Sequence, residues 1–149
     1  MYRNILVPLD LSRRAEAILP HVEQLAQRYN AKVIFLHVVQ PDKIFLGPEV
    51  PSQRHYFEEL NRKMKTAEAY LAELKEQFQQ KGIHTQEMIL SGAITEMILT
   101  TAENQAVDLI AIASHGWGGL SRVFYGSVAA SVLHKIDRPL LLIRSRENQ

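Results

Sequence analysis

Two hydrophobic periodicities take turns along this chain, and their alternation restricts the fold more than any other feature. Residues 4–9 and 32–39 are short, apolar and rich in β-branched side chains, and residues 85–90, 107–113 and 140–144 read as three further strands. Without a polar residue at every second position, such runs have the pattern of strands buried on both faces. Between the first two, Ala15, Ile18, Leu19, Val22, Leu25, Ala26 and Tyr29 recur at helical spacing behind Ser12, which suits an N-cap. A second helical stretch carries Leu60, Met64, Ala67, Leu71, Leu74 and Phe78 on one face and stops at Gly82. Residues 94–103 and 126–136 supply two more helices. Strand and helix in regular alternation predict the α/β class, a single doubly wound five-stranded parallel sheet with helices on both faces. Residues 40–57 carry neither period. Their prolines and Gly47 suggest an irregular excursion at the carboxyl end of the second strand, where mobile lids often sit.

With 149 residues, 46% of them hydrophobic, the chain can bury one sizeable core, so the expectation is one domain over residues 1–149. Lys and Arg number 17 against 16 Asp and Glu, interspersed, which argues against nucleic acid as a partner. There is no cysteine, which excludes disulfides, thiolate catalysis and Cys-ligated zinc and suits a reducing cytoplasm. The opening MYRNILVPLD has an apolar stretch too short for a signal peptide or a membrane span, so a soluble cytoplasmic protein with no membrane partner is expected. The 6 histidines show no metal-ligand spacing, and no zinc site is predicted.

In open parallel sheets, ligands bind beyond the carboxyl ends of the strands, where the strand order reverses. If strand one begins one half of the sheet and strand four the other, the order is 3-2-1-4-5 and the reversal lies between those two strands. Their ends are Pro8-Leu9-Asp10 and Ala113-Ser114-His115-Gly116. The second end opens the segment ASHGWGGLSRVFYGS, with four glycines, three serines and a histidine. Glycines let a backbone approach a ligand and turn its N–H groups inward, and Gly126-Ser127 opens a helix whose N-terminus attracts anions. A phosphate suits such a loop; the plainer alternative is that Gly116, Gly118 and Gly119 form a turn and Ser127 caps a helix. The segment has no Gly-Lys-Ser/Thr, so it is not a Walker A loop, and strand one is followed by DLSRRAE, without a dinucleotide fingerprint.

These residues also carry a resemblance. ILVPLDLS at the start, LHVV closing strand two, VDLIAIASHG at strand four, then GSVA and RPLLLI near the end are similar to the universal stress protein family along the whole chain. Nucleotide-binding members of that family have a loop of Gly, two residues, Gly, nine residues, Gly, then Ser or Thr. Here Gly116 is the second glycine and Gly126-Ser127 closes the motif, while Ala113 stands at the first position and its methyl group could crowd a phosphate or ribose. The resemblance implies that ATP or AMP is the ligand, with Mg²⁺ accompanying ATP. It implies that Pro8, Leu9 and Asp10 line the adenosine side and that Val38 offers its backbone to the adenine edge. Gly116, Gly126, Ser127 and Val128 would hold the phosphates.

Asp10 would be repelled by a triphosphate, so ribose contact or a metal-bound water suits it; its alternative is to cap the first helix. His115 could hydrogen-bond phosphate or act as a base; with no catalytic partner beside it in sequence, an orienting donor is expected. Arg122 could neutralise phosphate or simply be solvated, and Trp117 could cover the ligand or simply be exposed. The last strand would be an apolar sheet edge, which pairing with a second copy would bury. A homodimer through that strand agrees with what the resemblance implies, against a tail that merely covers its own sheet. The function expected is a nucleotide-dependent dimeric stress or signalling module with an unidentified protein partner. It is not an enzyme beyond weak ATP hydrolysis or autophosphorylation, and the alternative is a nucleotide-independent interaction protein of the same fold.

Overall fold

The computed structural model of the chain describes residues 1–40, 53–114 and 127–145. Strands form where the apolar runs lie: β1 is Asn4–Pro8, β2 Lys32–Val39, β3 Thr85–Ser91, β4 Leu109–Ser114 and β5 Leu140–Arg144. Every pairing is parallel, as the alternation of periods predicts, and the sheet order is β3-β2-β1-β4-β5, the order expected when strands one and four begin opposite halves. Helices α1 (Leu19–Tyr29), α2 (Gln53–Gln80), α3 (Ile94–Asn104) and α4 (Ser127–Lys135) make the crossovers.

Alternate residues of each strand face opposite sides, so one sheet builds two cores. Ile5, Val7, Val33, Phe35 and Ala111 pack against Val22 of α1 and Leu71 and Phe78 of α2. Leu6, Ile34, Leu36 and Ile110 pack on the other face against Ile98 of α3 and Val132 of α4. Phe35 and Phe78 meet edge to face with ring centroids 5.0 Å apart, which anchors α2 on the sheet. α2 ends at Gly82, whose φ of +77° is costly for any residue with a Cβ. That turn lets the Ile83 N–H close on the Phe78 carbonyl at 3.0 Å.

Three differences from the sequence reading have a local reason. Residues 53–57, read as part of an irregular excursion, are the first turns of α2. They lie beyond the last proline of that stretch and are tied into the helix by the Arg54–Glu58 ion pair at 3.3 Å. Residues 41–52 of the same stretch lie outside the described residues. The first helix is two pieces, a 3-10 turn at Ala15–Ile18 followed by α1 with Pro20 in its first turn. Ser12 supports that turn, its Oγ accepting from the Ala15 N–H at 3.1 Å. Residues 107 and 108 precede β4 rather than open it: the Val107 N–H returns to the Ala102 carbonyl, and the Asp108 side chain is drawn to the start of β1.

Candidate functional site

β1 and β2 part at their carboxyl ends, and the reason is the residue that follows. Leu9 makes one more ladder bond, its N–H to the Leu36 carbonyl at 2.9 Å. Leu11 then adopts φ +68°, the left-handed region that L residues other than Asn and Asp rarely enter, and the chain turns off the sheet. The Asp10 carboxylate stabilises the turn, Oδ1 accepting from the Ser12 N–H at 2.9 Å. Asp10 and Ser12 therefore share the work of starting the 3-10 turn. Asp10 is nonetheless exposed, at the mouth of the space the departing strand leaves.

That space is a cavity of about 280 Å³. Pro8, Leu9 and Asp10 of the first strand end, Val38 of the second, Ala113 of the fourth, and Ser127 and Val128 of α4 all line it. Seven of the residues singled out from sequence thus meet at one place, although they come from four separate parts of the chain. His115, Gly116 and Gly126, with Trp117 and Arg122, lie outside the described residues.

The cavity walls have two characters. Leu36, Ile94, Ile98, Ile112 and Val128 make much of the lining apolar, fit for the face of a flat ring. Ser127 opens α4 and lines the same cavity, and the positive end of a helix dipole suits an anion. A purine ring linked to a sugar phosphate would fit that donor set. Among the described residues no three metal-ligating side chains cluster. Ala113 is 7% exposed and its side chain belongs to the first core, so little of its methyl group projects into the cavity.

The sequence reading gave no role to two polar residues of the wall. His37 and Ser114 both line the cavity. The signal for His37 was present: it is the one polar side chain between Val33 and Val39 in an otherwise apolar strand. Its Nδ1 lies 2.7 Å from the Leu9 carbonyl. Ser114 is buried, its carbonyl accepting from both the N–H and the Oγ of Ser145 at 3.1 Å.

One helix is tied to this end of the sheet by a side-chain bond. Tyr70 of α2 donates its hydroxyl to Glu16 Oε1 at 2.6 Å, gripping the 3-10 turn behind Asp10. Partial burial, the bond to Glu16 and the negative charges of Glu16, Asp10 and Glu73 all push the Tyr70 pKa well above the usual phenol range.

Comparison with known proteins agrees with the geometry. The universal stress protein family model matches residues 1–144. Universal stress protein MJ0577 of Methanocaldococcus jannaschii is 29% identical over 161 residues, covering 99% of this chain and 98% of the relative. The solved structure of MJ0577 aligns over 99% of each chain with a TM-score of 0.86. A universal stress protein in complex with cAMP shares the fold at 19% identity, with a TM-score of 0.71 over 97% of this chain and 98% of that one. The universal stress protein of Archaeoglobus fulgidus in complex with dAMP shares it at 21% identity, with a TM-score of 0.64 over 95% of this chain and 98% of that one. Among the described residues, no helix is long and apolar enough to cross a membrane.

Proposed function

The chain belongs to the universal stress protein family, and from that premise we propose that it is a stress or signalling module that binds an adenine nucleotide between the ends of β1 and β4. The observation that carries this reading is the cavity at the point where the strand order reverses, largely apolar and with the first residues of α4 in its lining. Two proteins of the same fold hold cAMP and dAMP, which supports an AMP-like ligand. In this reading Pro8, Leu9 and Asp10 meet the adenosine, Asp10 through ribose hydroxyls or a Mg²⁺-bound water. Val38 meets the base edge with its backbone. Ser127 and Val128, with Gly116, Gly126 and His115, meet the phosphates of AMP or of Mg·ATP.

Binding rather than turnover is the proposed role, in keeping with a sequence that sets no catalytic partner beside His115. The module acts as a homodimer in one domain. Leu140–Arg144 is a sheet edge whose four apolar residues are only half-buried, and a second copy paired there would cover them. Nucleotide occupancy then biases what the dimer presents to a protein partner in the cytoplasm.

Calorimetric titration of nucleotide-stripped protein with AMP and with Mg·ATP tests the reading. Saturation near one nucleotide per chain is expected. Gly126→Ala and Asp10→Ala should each weaken binding about tenfold, roughly 1.4 kcal/mol, and Ala113→Gly should leave it equal or tighter. Absence of heat with either nucleotide at several temperatures would favour the second reading, an interaction module without nucleotide, whose one support is the alanine at position 113 on the cavity wall.

A further inference from the structure

In a parallel sheet each residue turns both its N–H and its C=O toward one neighbouring strand, and the next residue turns toward the other. On β2 the odd-numbered residues face β3: the Val33 N–H donates to the His84 carbonyl at 2.9 Å, and the Val39 carbonyl accepts from the Gly92 N–H at 3.1 Å. The even-numbered residues face β1: the Lys32 N–H donates to the Arg3 carbonyl at 2.8 Å, and the Leu36 carbonyl accepts from the Leu9 N–H at 2.9 Å. Val38 is the next even residue, and its backbone groups are directed at the place where β1 would continue. β1 does not continue there. Its register with β2 ends at the Pro8–Leu36 pair, and Leu11 turns the chain away.

A regular ladder would next join the Val38 N–H to the Leu9 carbonyl. His37 takes that carbonyl, its Nδ1 standing 2.7 Å from the oxygen. A carbonyl can only accept, so Nδ1 carries the proton and is the donor. We propose that His37 is a positioning residue for base recognition: by holding the Leu9 carbonyl, its Nδ1–H keeps the backbone N–H and C=O of Val38 open toward the cavity. Together those two groups form a donor and an acceptor side by side. They complement the edge of adenine, which offers a ring-nitrogen acceptor beside an exocyclic amine donor. Hypoxanthine reverses both and meets donor with donor. His37 thereby selects a 6-aminopurine over a 6-oxopurine without touching the base. This inference rests on the adenine-nucleotide reading given above.

Two measurements on the wild-type protein, His37→Phe and His37→Asn test it. Phe fills the ring's volume without a donor, and Asn restores an N–H close to the position of Nδ1. The first measurement is amide hydrogen exchange by NMR without ligand. The Val38 amide should exchange freely in the wild type and in His37→Asn, and at least tenfold more slowly in His37→Phe, where the missing rung closes. The second is the affinity for AMP relative to IMP. The preference for AMP, expected to be roughly 10- to 100-fold in the wild type, should fall below about threefold in His37→Phe and return in His37→Asn. Unchanged Val38 exchange in His37→Phe, or an unchanged AMP-to-IMP ratio, would overturn the role of His37. Failure of the nucleotide reading is distinguishable, since the wild type itself would then bind neither AMP nor ATP.

Discussion

At the amino ends of the strands, side chains from distant parts of the sequence close the backbone; at the carboxyl ends His37 and Ser145 close only the carbonyls of Leu9 and Ser114, and a cavity stands open between the strand ends. Asp108 Oδ2 accepts from the N–H groups of both Arg3 and Asn4, at 2.7 and 2.8 Å, joining the approach to β4 to the start of β1. Asn4 Nδ2 donates in turn to the Ala106 carbonyl at 3.1 Å. Arg138, before β5, donates Nη1 to the Ala102 carbonyl at 2.8 Å and Nη2 to Glu103 at 2.8 Å, finishing the end of α3. The carboxyl end has a left-handed leucine, a strand pair that parts early, and a cavity. The same five strands thus divide two tasks: one end specifies the fold, and the other holds backbone groups available for a ligand. A binding site needs unsatisfied donors, and a stable fold tolerates few of them, so the two demands separate in space.

The largest test of this separation is Asp108→Ala. Losing a charged acceptor that serves two backbone N–H groups should lower the free energy of unfolding by about 2–3 kcal/mol, measured by urea denaturation. AMP affinity should stay within about twofold, because Asp108 lies at the far end of the strands. A parallel loss of affinity would mean that the two ends are one cooperative unit.

Tyr70→Phe addresses the tie between α2 and the open end, and its effect should be smaller, about 1 kcal/mol for one partly exposed hydrogen bond to a carboxylate. The pH dependence supplies the signature. Because the folded state raises the Tyr70 pKa, it favours the protonated phenol. The stabilisation is complete below the unfolded pKa of about 10 and is lost as pH rises above it toward the folded value. The stability gap between wild type and Tyr70→Phe should therefore narrow from about pH 10 upward; a gap that stays constant would show that the bond to Glu16 contributes little.

Leu11→Gly should have the smallest effect and the opposite sign. Relief of a left-handed leucine is worth about 1–2 kcal/mol, and the added backbone freedom of glycine in the unfolded chain removes about 0.5–1 of that. A gain below about 1 kcal/mol, read as a small rise in Tm, would place a modest strain at the open end. A clear loss would mean that the packing of the Leu11 side chain outweighs its backbone.

Much of the fold was legible in the sequence, and the way it was legible explains what was missed. A strand buried on both faces needs a continuous apolar run, so Lys32–Val39 and Leu109–Ser114 announce themselves, and parallel strands need helical crossovers, which fixes their alternation. The start of α2 was obscured because the prolines and glycine preceding it look like one irregular segment with it. His37 was hidden in plain view within LHVV, since a histidine in an apolar strand is more often structural than not. Nothing in the local sequence says that its ring reaches across to Leu9, 28 residues away.

The sequence by itself determined the class of fold, the strand order that places the reversal between β1 and β4, and the Leu9, Asp10, Ala113 and Ser127 positions that meet there. The class follows from periodicity, which acts over a few residues at a time, and the positions follow from the strand ends and the glycine-rich segment together with the family resemblance. Only the tertiary structure decided where β1 leaves the sheet, which carbonyl His37 takes, and that Asp108 and Arg138 close the opposite end. Those are contacts between residues as much as 105 positions apart. Their geometry exists only after the strands are in register, so no local pattern can encode it.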